Sequence, residues 1–258
     1  MKKVLLVLSF LSVILVSGCS LKQSQSTKMT QQQQSKLIKH NQKIWNEKIR
    51  AAQNIDNPNY DQYVTVIPQG YNDEDMSLKR FKSGNQLAVK ARVLNLQPEV
   101  DRLLNTQTKA TILIEKVLTG NKELQGKTIK TEFTGGLTTA GNYFISVEGN
   151  YEGDQVGFPN KKTSIYTTTA TKPMPKIGQR IILGLKRYQP ENKYRQAMLK
   201  KNGLTTKNFY VIQNPEATMW VKENGKYRVN NPAFYLKENK TKVKNMMKLT
   251  AKLNKENS

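Results

Sequence analysis

"ATILIEKVLTGNKELQGKTIKTEFTGG", residues 110–136, carries the reading on which the fold turns. Ala110, Ile112 and Ile114 alternate with Thr111, Leu113 and Glu115. A period of two places one set of side chains on each face of a strand. "TIKTEF", residues 128–133, repeats the pattern after a polar loop bounded by Gly120 and Gly126. The segment therefore predicts strand, loop and strand, with the two glycines supplying turn geometry.

The loop ends in Gly126-Lys127-Thr128, which invites comparison with a phosphate-binding loop. That loop needs four residues between its glycines and a helix N-terminus facing the phosphate. Here Asn121, Lys122, Glu123, Leu124 and Gln125 make five, and a strand pattern follows instead of a helix. Nucleotide binding at this loop is excluded on both counts.

Working outward, the same short period recurs from about Tyr60 to Val229. It is seen in "QLAVKARV" (86–93), "RIILGL" (180–185), "FYVI" (209–212), "TMWV" (218–221) and "KYRV" (226–229). Asn224-Gly225 between the last two marks a hairpin. Strands without long intervening helices predict a mainly β fold. The architecture is either a small antiparallel β-barrel or a sandwich, flanked by an N-terminal and a C-terminal helix. Residues 60–235 form the expected β-rich domain.

The N-terminal flank begins at 36–54, where Ile38, Trp45, Ile49 and Ala52 fall on one stripe of an amphipathic helix expected to pack on the domain. The C-terminal flank, 239–255, places Val243, Met246, Met247, Thr250 and Leu253 on one side and lysines elsewhere. A methionine pair at that spacing reads as core filler.

The first 18 residues combine Lys2 and Lys3 with an apolar run from Val4 to Val16. Thirteen residues make a helix of about 20 Å, short of the roughly 30 Å hydrocarbon core, so the run reads as a cleaved export signal. Val16-Ser17-Gly18-Cys19 resembles the lipobox of bacterial lipoprotein signal peptides. That resemblance implies that Cys19 carries a diacylglyceryl group and becomes the first residue after cleavage. The protein would then be lipid-anchored on the extracytoplasmic face of the cell membrane, its membrane partner reached through Cys19. Cys19 is the only cysteine in the chain, so none remains for a disulfide, a metal or a nucleophile. Residues 19–35 are almost devoid of apolar and acidic side chains and read as a flexible lipidated tether.

Charge is the other strong signal. The formal net charge is +23, of which removal of residues 1–18 takes only two lysines. Such an excess selects anionic partners, here anionic lipid or wall polymer. It is concentrated between Asn160 and Asn202: Lys161, Lys162, Lys172, Lys176, Arg180, Lys186, Arg187, Lys193, Arg195, Lys200 and Lys201 face a single acid, Glu191. Tyr166, Tyr188 and Tyr194 are interleaved with them. These eleven residues are the candidate polyanion-binding set. No nucleic-acid module is present to read bases, so sequence-specific nucleic acid is not the expected ligand, while a protein partner remains open.

Catalytic sets are sparse. His40 is the only histidine and sits in the N-terminal helix pattern, which leaves no Ser-His-Asp arrangement in the β-domain and no zinc ligand set. No cofactor is called for. The remaining chemistry is carboxylate. Asp73, Glu74 and Asp75 form one cluster, and Glu148, Glu152 and Asp154 another. Either set of oxygens suits Ca²⁺, and a pair of acids suits a glycoside hydrolase acting on wall polysaccharide. That hydrolase is the alternative to a non-enzymatic binding protein.

The pattern of residues 110–136, followed by "MPKIGQRIILGL" (174–185), resembles uncharacterised secreted and lipid-anchored proteins of Gram-positive bacteria. The resemblance spans roughly residues 85–230. It implies an OB-like or netrin-like barrel and brings no functional residues with it.

Overall fold

The computed structural model describes residues 29–55, 67–99, 106–148, 157 and 160–257. Along the chain run α1 (Gln31–Ala51), β1 (Gln53–Ile55), α2 (Leu78–Ser83), β2 (Leu87–Pro98), β3 (Gln107–Thr119) and β4 (Thr128–Thr134). They are followed by β5 (Gly136–Thr139), α3 (Ala140–Glu148), β6 (Ser164–Thr167), β7 (Arg180–Arg187) and α4 (Lys193–Lys201). The chain closes with β8 (Tyr210–Ile212), β9 (Met219–Glu223), β10 (Lys226–Val229) and α5 (Lys244–Asn257).

Residues 110–136 fold as strand, loop and strand: β3 and β4 pair antiparallel, with Ile112 opposite Ile129. Gly120 and Gly126 take φ of +94° and +82°, the left-handed region where a side chain is strained. The β9–β10 hairpin turns on Asn224 and Gly225, both at positive φ, as a two-residue loop matched to strand twist demands.

A seven-stranded antiparallel sheet runs in the order β10-β9-β7-β2-β3-β4, with β8 also paired to β7. A three-stranded sheet, β1-β6-β5, lies apart from it. Of the two architectures the sequence left open, the result is sandwich-like and not a closed barrel. The edge of β4 meets the segment before β8 only at one isolated parallel bridge, Lys130 with Phe209, where closure needs a continuous ladder. Register shifts along the β2–β3 pair supply the curl, because a bulge locally increases twist. Between two of these shifts, Ile112, Leu113 and Ile114 are all buried despite the alternation.

Each face of the large sheet has its own core. On one side Val89, Ala91, Ile181, Leu183 and Val221 pack with Leu137 of the small sheet and with Ile38 and Trp45 of α1. On the other, Ala88, Ile182 and Trp220 pack with Phe81 of α2 and Met246, Leu249 and Leu253 of α5. The amphipathic stripe of the N-terminal helix thus packs on the domain, as its spacing required. That helix starts at Gln31, inside the stretch whose composition reads as tether. Thr30 and Gln33 form a reciprocal capping box that nucleates it there. Asn41 and Gln42 donate from α1 to the carbonyls of Leu94 and Ile177 (2.9 and 2.8 Å).

α5 begins at Lys244, later than the pattern suggested, because two short 3-10 turns (Pro232–Tyr235 and Lys237–Asn239) precede it. Trp220 Nε1 donates to Thr250 Oγ1 at 2.9 Å in the buried interface. The far end of the helix is held by lysines of the sheet. Lys90 Nζ donates to the Asn257 carbonyl (3.1 Å) and Lys116 Nζ to that of Glu256 (3.0 Å), where cations favour the negative end of the helix dipole.

Candidate anion-binding site

The eleven basic residues do not share one surface. Cys19 lies outside the described residues. Lys161 and Lys162 are exposed in a turn that abuts the start of α3, where Gly141 N–H donates to the Lys161 carbonyl. Lys172 is paired with Glu216 at 2.9 Å. Lys176 is exposed in the turn before β7. Arg180, at the first position of β7, is bound to Glu115 (2.9 Å). Six residues of strand, about 20 Å, separate Arg180 from Lys186.

The other six are gathered around α4. Lys186 and Arg187 end β7 opposite Val211 and Tyr210 of β8. Arg187 Nη2 donates to the Tyr210 hydroxyl (3.0 Å) and its guanidinium lies 5.5 Å from that ring's centroid. Lys193, Arg195, Lys200 and Lys201 are exposed on α4. The helix is capped by Asn192, whose side chain accepts from Arg195 N–H, and seated by Leu199 among Leu204, Phe209, Tyr188 and Val211. Arg195 lies 3.5 Å from Glu191, an exposed pair of little energetic consequence.

The seat of α4 recruits cations that sequence reading missed. Lys109 Nζ donates to the Asn202 carbonyl just past the end of α4 (2.6 Å). On β4, Lys130 N–H donates to the Asn208 carbonyl, and its Nζ donates to Thr111 Oγ1. Burial pushes the Lys130 amine below its ordinary value, and the nearby Lys109 charge adds to the effect. Lys109 thus reaches the residue that follows the exposed Lys200 and Lys201, and Lys130 lies near Lys109, with Glu132 opposite Lys109 on β4. Strand alternation marks Lys109 and Lys130 as outward, but only the bonds to the Asn202 and Asn208 carbonyls tie them to the end of α4 and the segment after it. Such a corner can hold an extended polyanion by neutralising successive negative groups, and the ring of Tyr194 is exposed in the first turn of the same helix.

The acidic candidates resolve differently. Asp73 is engaged by α5, its carboxylate accepting from the N–H groups of Asn245 and Met246 and from the Tyr71 hydroxyl. Asp75 pairs with Arg80 and accepts from the Asn72 amide. These carboxylates build the fold instead of converging on a cavity. Glu148 is the last residue of α3; Glu152 and Asp154 lie outside the described residues. Among the described residues no group of three or more His, Cys, Asp or Glu is arranged to hold a metal ion. His40 is exposed on α1. No described helix is long and apolar enough to cross a membrane.

Compared with protein-family models, with curated proteins and with solved structures, the chain matches none, so the reading of its surface rests on the geometry above.

Proposed function

We propose that this chain is a non-enzymatic, lipid-anchored extracytoplasmic protein whose basic β-domain binds an anionic wall polymer. The observation that carries this reading is the corner at the end of α4, where Lys109 of the sheet, with Lys130 near it, bonds to the Asn202 carbonyl next in the chain after Lys200 and Lys201. Burial and the Lys109 charge both disfavour the charged form of Lys130, a cost that an anion bound there would relieve. Lys186, Arg187, Lys193 and Arg195 extend the positive surface along β7 and α4. The lipobox resemblance supports the address.

The test is co-sedimentation of the unlipidated chain with cell-wall sacculi, before and after their anionic polymers are stripped. Binding lost on stripping, and falling steeply between about 50 and 200 mM salt, supports the proposal. A Lys200→Glu/Lys201→Glu variant is expected to bind at least tenfold more weakly, and Lys161→Glu/Lys162→Glu to bind nearly as the parent does. Equal binding to stripped and intact sacculi would point to polysaccharide or protein and against the anionic polymer.

A further inference from the structure

A cleft of about 550 Å³ opens between the first turn of α1 and the outer positions of β2, β3 and β7. Its charged wall is Arg92, Glu115 and Arg180; Gln34, Ser35 and Gln125 also line it. Gln34 Nε2 donates to the Met29 carbonyl (2.9 Å) and Gln125 Oε1 accepts from Val117 N–H (3.3 Å), so Gln34 offers its oxygen, Gln125 its amide N–H and Ser35 its hydroxyl. Glu115 Oε1 accepts from Arg92 Nε (2.9 Å) and lies 2.8 Å from Arg92 Nη2. Arg180 Nε donates to both oxygens of the same carboxylate (3.1 and 2.9 Å). One acid therefore holds two guanidinium groups side by side and leaves one positive charge over. The Arg180 side chain is 42% exposed, and its Nη groups have no hydrogen-bond partner among the described residues. A guanidinium edge left open beside a cavity is a fork for an oxyanion.

A second observation concerns the same cluster. Tyr227 is 1% exposed, and its buried hydroxyl has no hydrogen-bond partner among the described residues. Burial first, then the Glu115 charge, pushes it up to about 12, against the pull of Arg180 and Arg92. Lys90 nearby is pushed down by burial; Glu115 opposes that, and Lys222, Arg180 and Lys116 reinforce it. The surroundings of the cleft thus carry positive charge in excess.

We propose that the Arg92–Glu115–Arg180 cleft binds a small phosphorylated polyol or sugar, its phosphate taken by the open edge of Arg180 and its hydroxyls by Gln34, Ser35 and Gln125. This site lies at the opposite end of β7 from the lysine corner and stands or falls independently of it. Glu115 is a positioning residue: it fixes both guanidinium groups in advance, so little side-chain entropy is lost on binding.

The experiment is calorimetric titration of the purified protein with glycerol 3-phosphate and, separately, with inorganic phosphate and glycerol. Saturable one-site binding of glycerol 3-phosphate at about 1 mM or tighter is expected, with inorganic phosphate several-fold weaker and glycerol silent. Arg180→Gln is expected to weaken binding at least tenfold at unchanged melting temperature. Arg180→Lys, which keeps the charge but loses the fork, is expected to weaken it as well. Lys200→Glu/Lys201→Glu is expected to bind as the parent does. Absence of saturable binding overturns the proposal. So does equal affinity in parent and both Arg180 variants, or loss confined to the Lys200/Lys201 variant. Inorganic phosphate binding as tightly as glycerol 3-phosphate overturns it too, by removing the role of the hydroxyls.

Discussion

Asp73 and Met246, 173 residues apart, are joined by a hydrogen bond from the Met246 N–H to the Asp73 carboxylate (3.0 Å). A second, from Asn245 N–H to the other oxygen (2.8 Å), makes Asp73 the side-chain cap of α5. Asp73→Ala should cost about 1–2 kcal/mol, because it removes both acceptors and the negative charge at the positive end of the helix. Denaturant unfolding reads the loss. Calcium added to the parent should leave the unfolding midpoint unmoved; a calcium-dependent rise would restore the acidic loop as a metal site.

The Gly135-Gly136 pair where the chain passes from the large sheet to the small one should be intolerant of side chains. Gly136 has φ +111°, and a Cβ there would strike the hydroxyl of Thr108, which is buried and donates to the Gly135 carbonyl (2.7 Å). Gly136→Ala should lower stability by roughly 2–4 kcal/mol. Gly203→Ala, at φ +64° with open space around it, should cost about 1 kcal/mol. Equal losses in urea unfolding would show that backbone strain alone governs both.

Tyr227 makes a prediction about alkali. Its folded-state value of about 12 exceeds that of an unfolded tyrosine, near 10. Between these two pH values the unfolded chain has lost the proton that the folded chain keeps. Stability therefore falls as pH rises from about 10 to about 12, by roughly 2–3 kcal/mol from this group. Tyr227→Phe should flatten that fall. At pH 7 it should be neutral or stabilising, since the hydroxyl it removes has no partner among the described residues. Thermal melts from pH 7 to 11.5 decide it; a parent and a variant that fall in parallel would assign the alkaline loss elsewhere.

The proposed lipid anchor predicts that Cys19→Ser releases the protein from the membrane. Metabolic labelling with a fatty acid is expected to mark the parent and not the variant, and fractionation to move the variant into the soluble phase. Unlabelled parent protein would leave residues 1–18 as an ordinary secretory signal.

The strands were legible as short apolar segments. "KYRV" buries alternate residues as β10, and "RIILGL" emerges as β7 with both faces buried, since it runs between the two cores. What escaped was structure whose cause lies elsewhere in the chain. "KYRQAMLKK" forms α4 although Leu199 is its one buried side chain; the Asn192 cap and the seat on Phe209 make the helix, not its own periodicity. β5 and β6 are four residues each, and no Asn-Gly turn joins them as one joins β9 to the equally short β10. The Thr30-Gln33 capping box was present in the sequence, hidden in a segment whose glutamines read as tether. The basic stretch 160–202 was visible as composition, but its division between α4 and the far end of β7 depends on strand direction. Arg92, Glu115 and Arg180 are scattered in sequence and become neighbours only through the register of β2 with β3 and β7.

Lys90 and Lys116, which hold the last carbonyls of α5, make ionic strength a variable of folding as well as of the proposed adhesion. Salt that screens the positive surface from a polymer also weakens the grip of these two amines on the helix end. The looser end is the one that Lys82 also secures through Glu256. An assay that raises salt to detach the protein from its support will therefore loosen α5 in the same tube. Helix content followed across the identical series tells desorption apart from fraying.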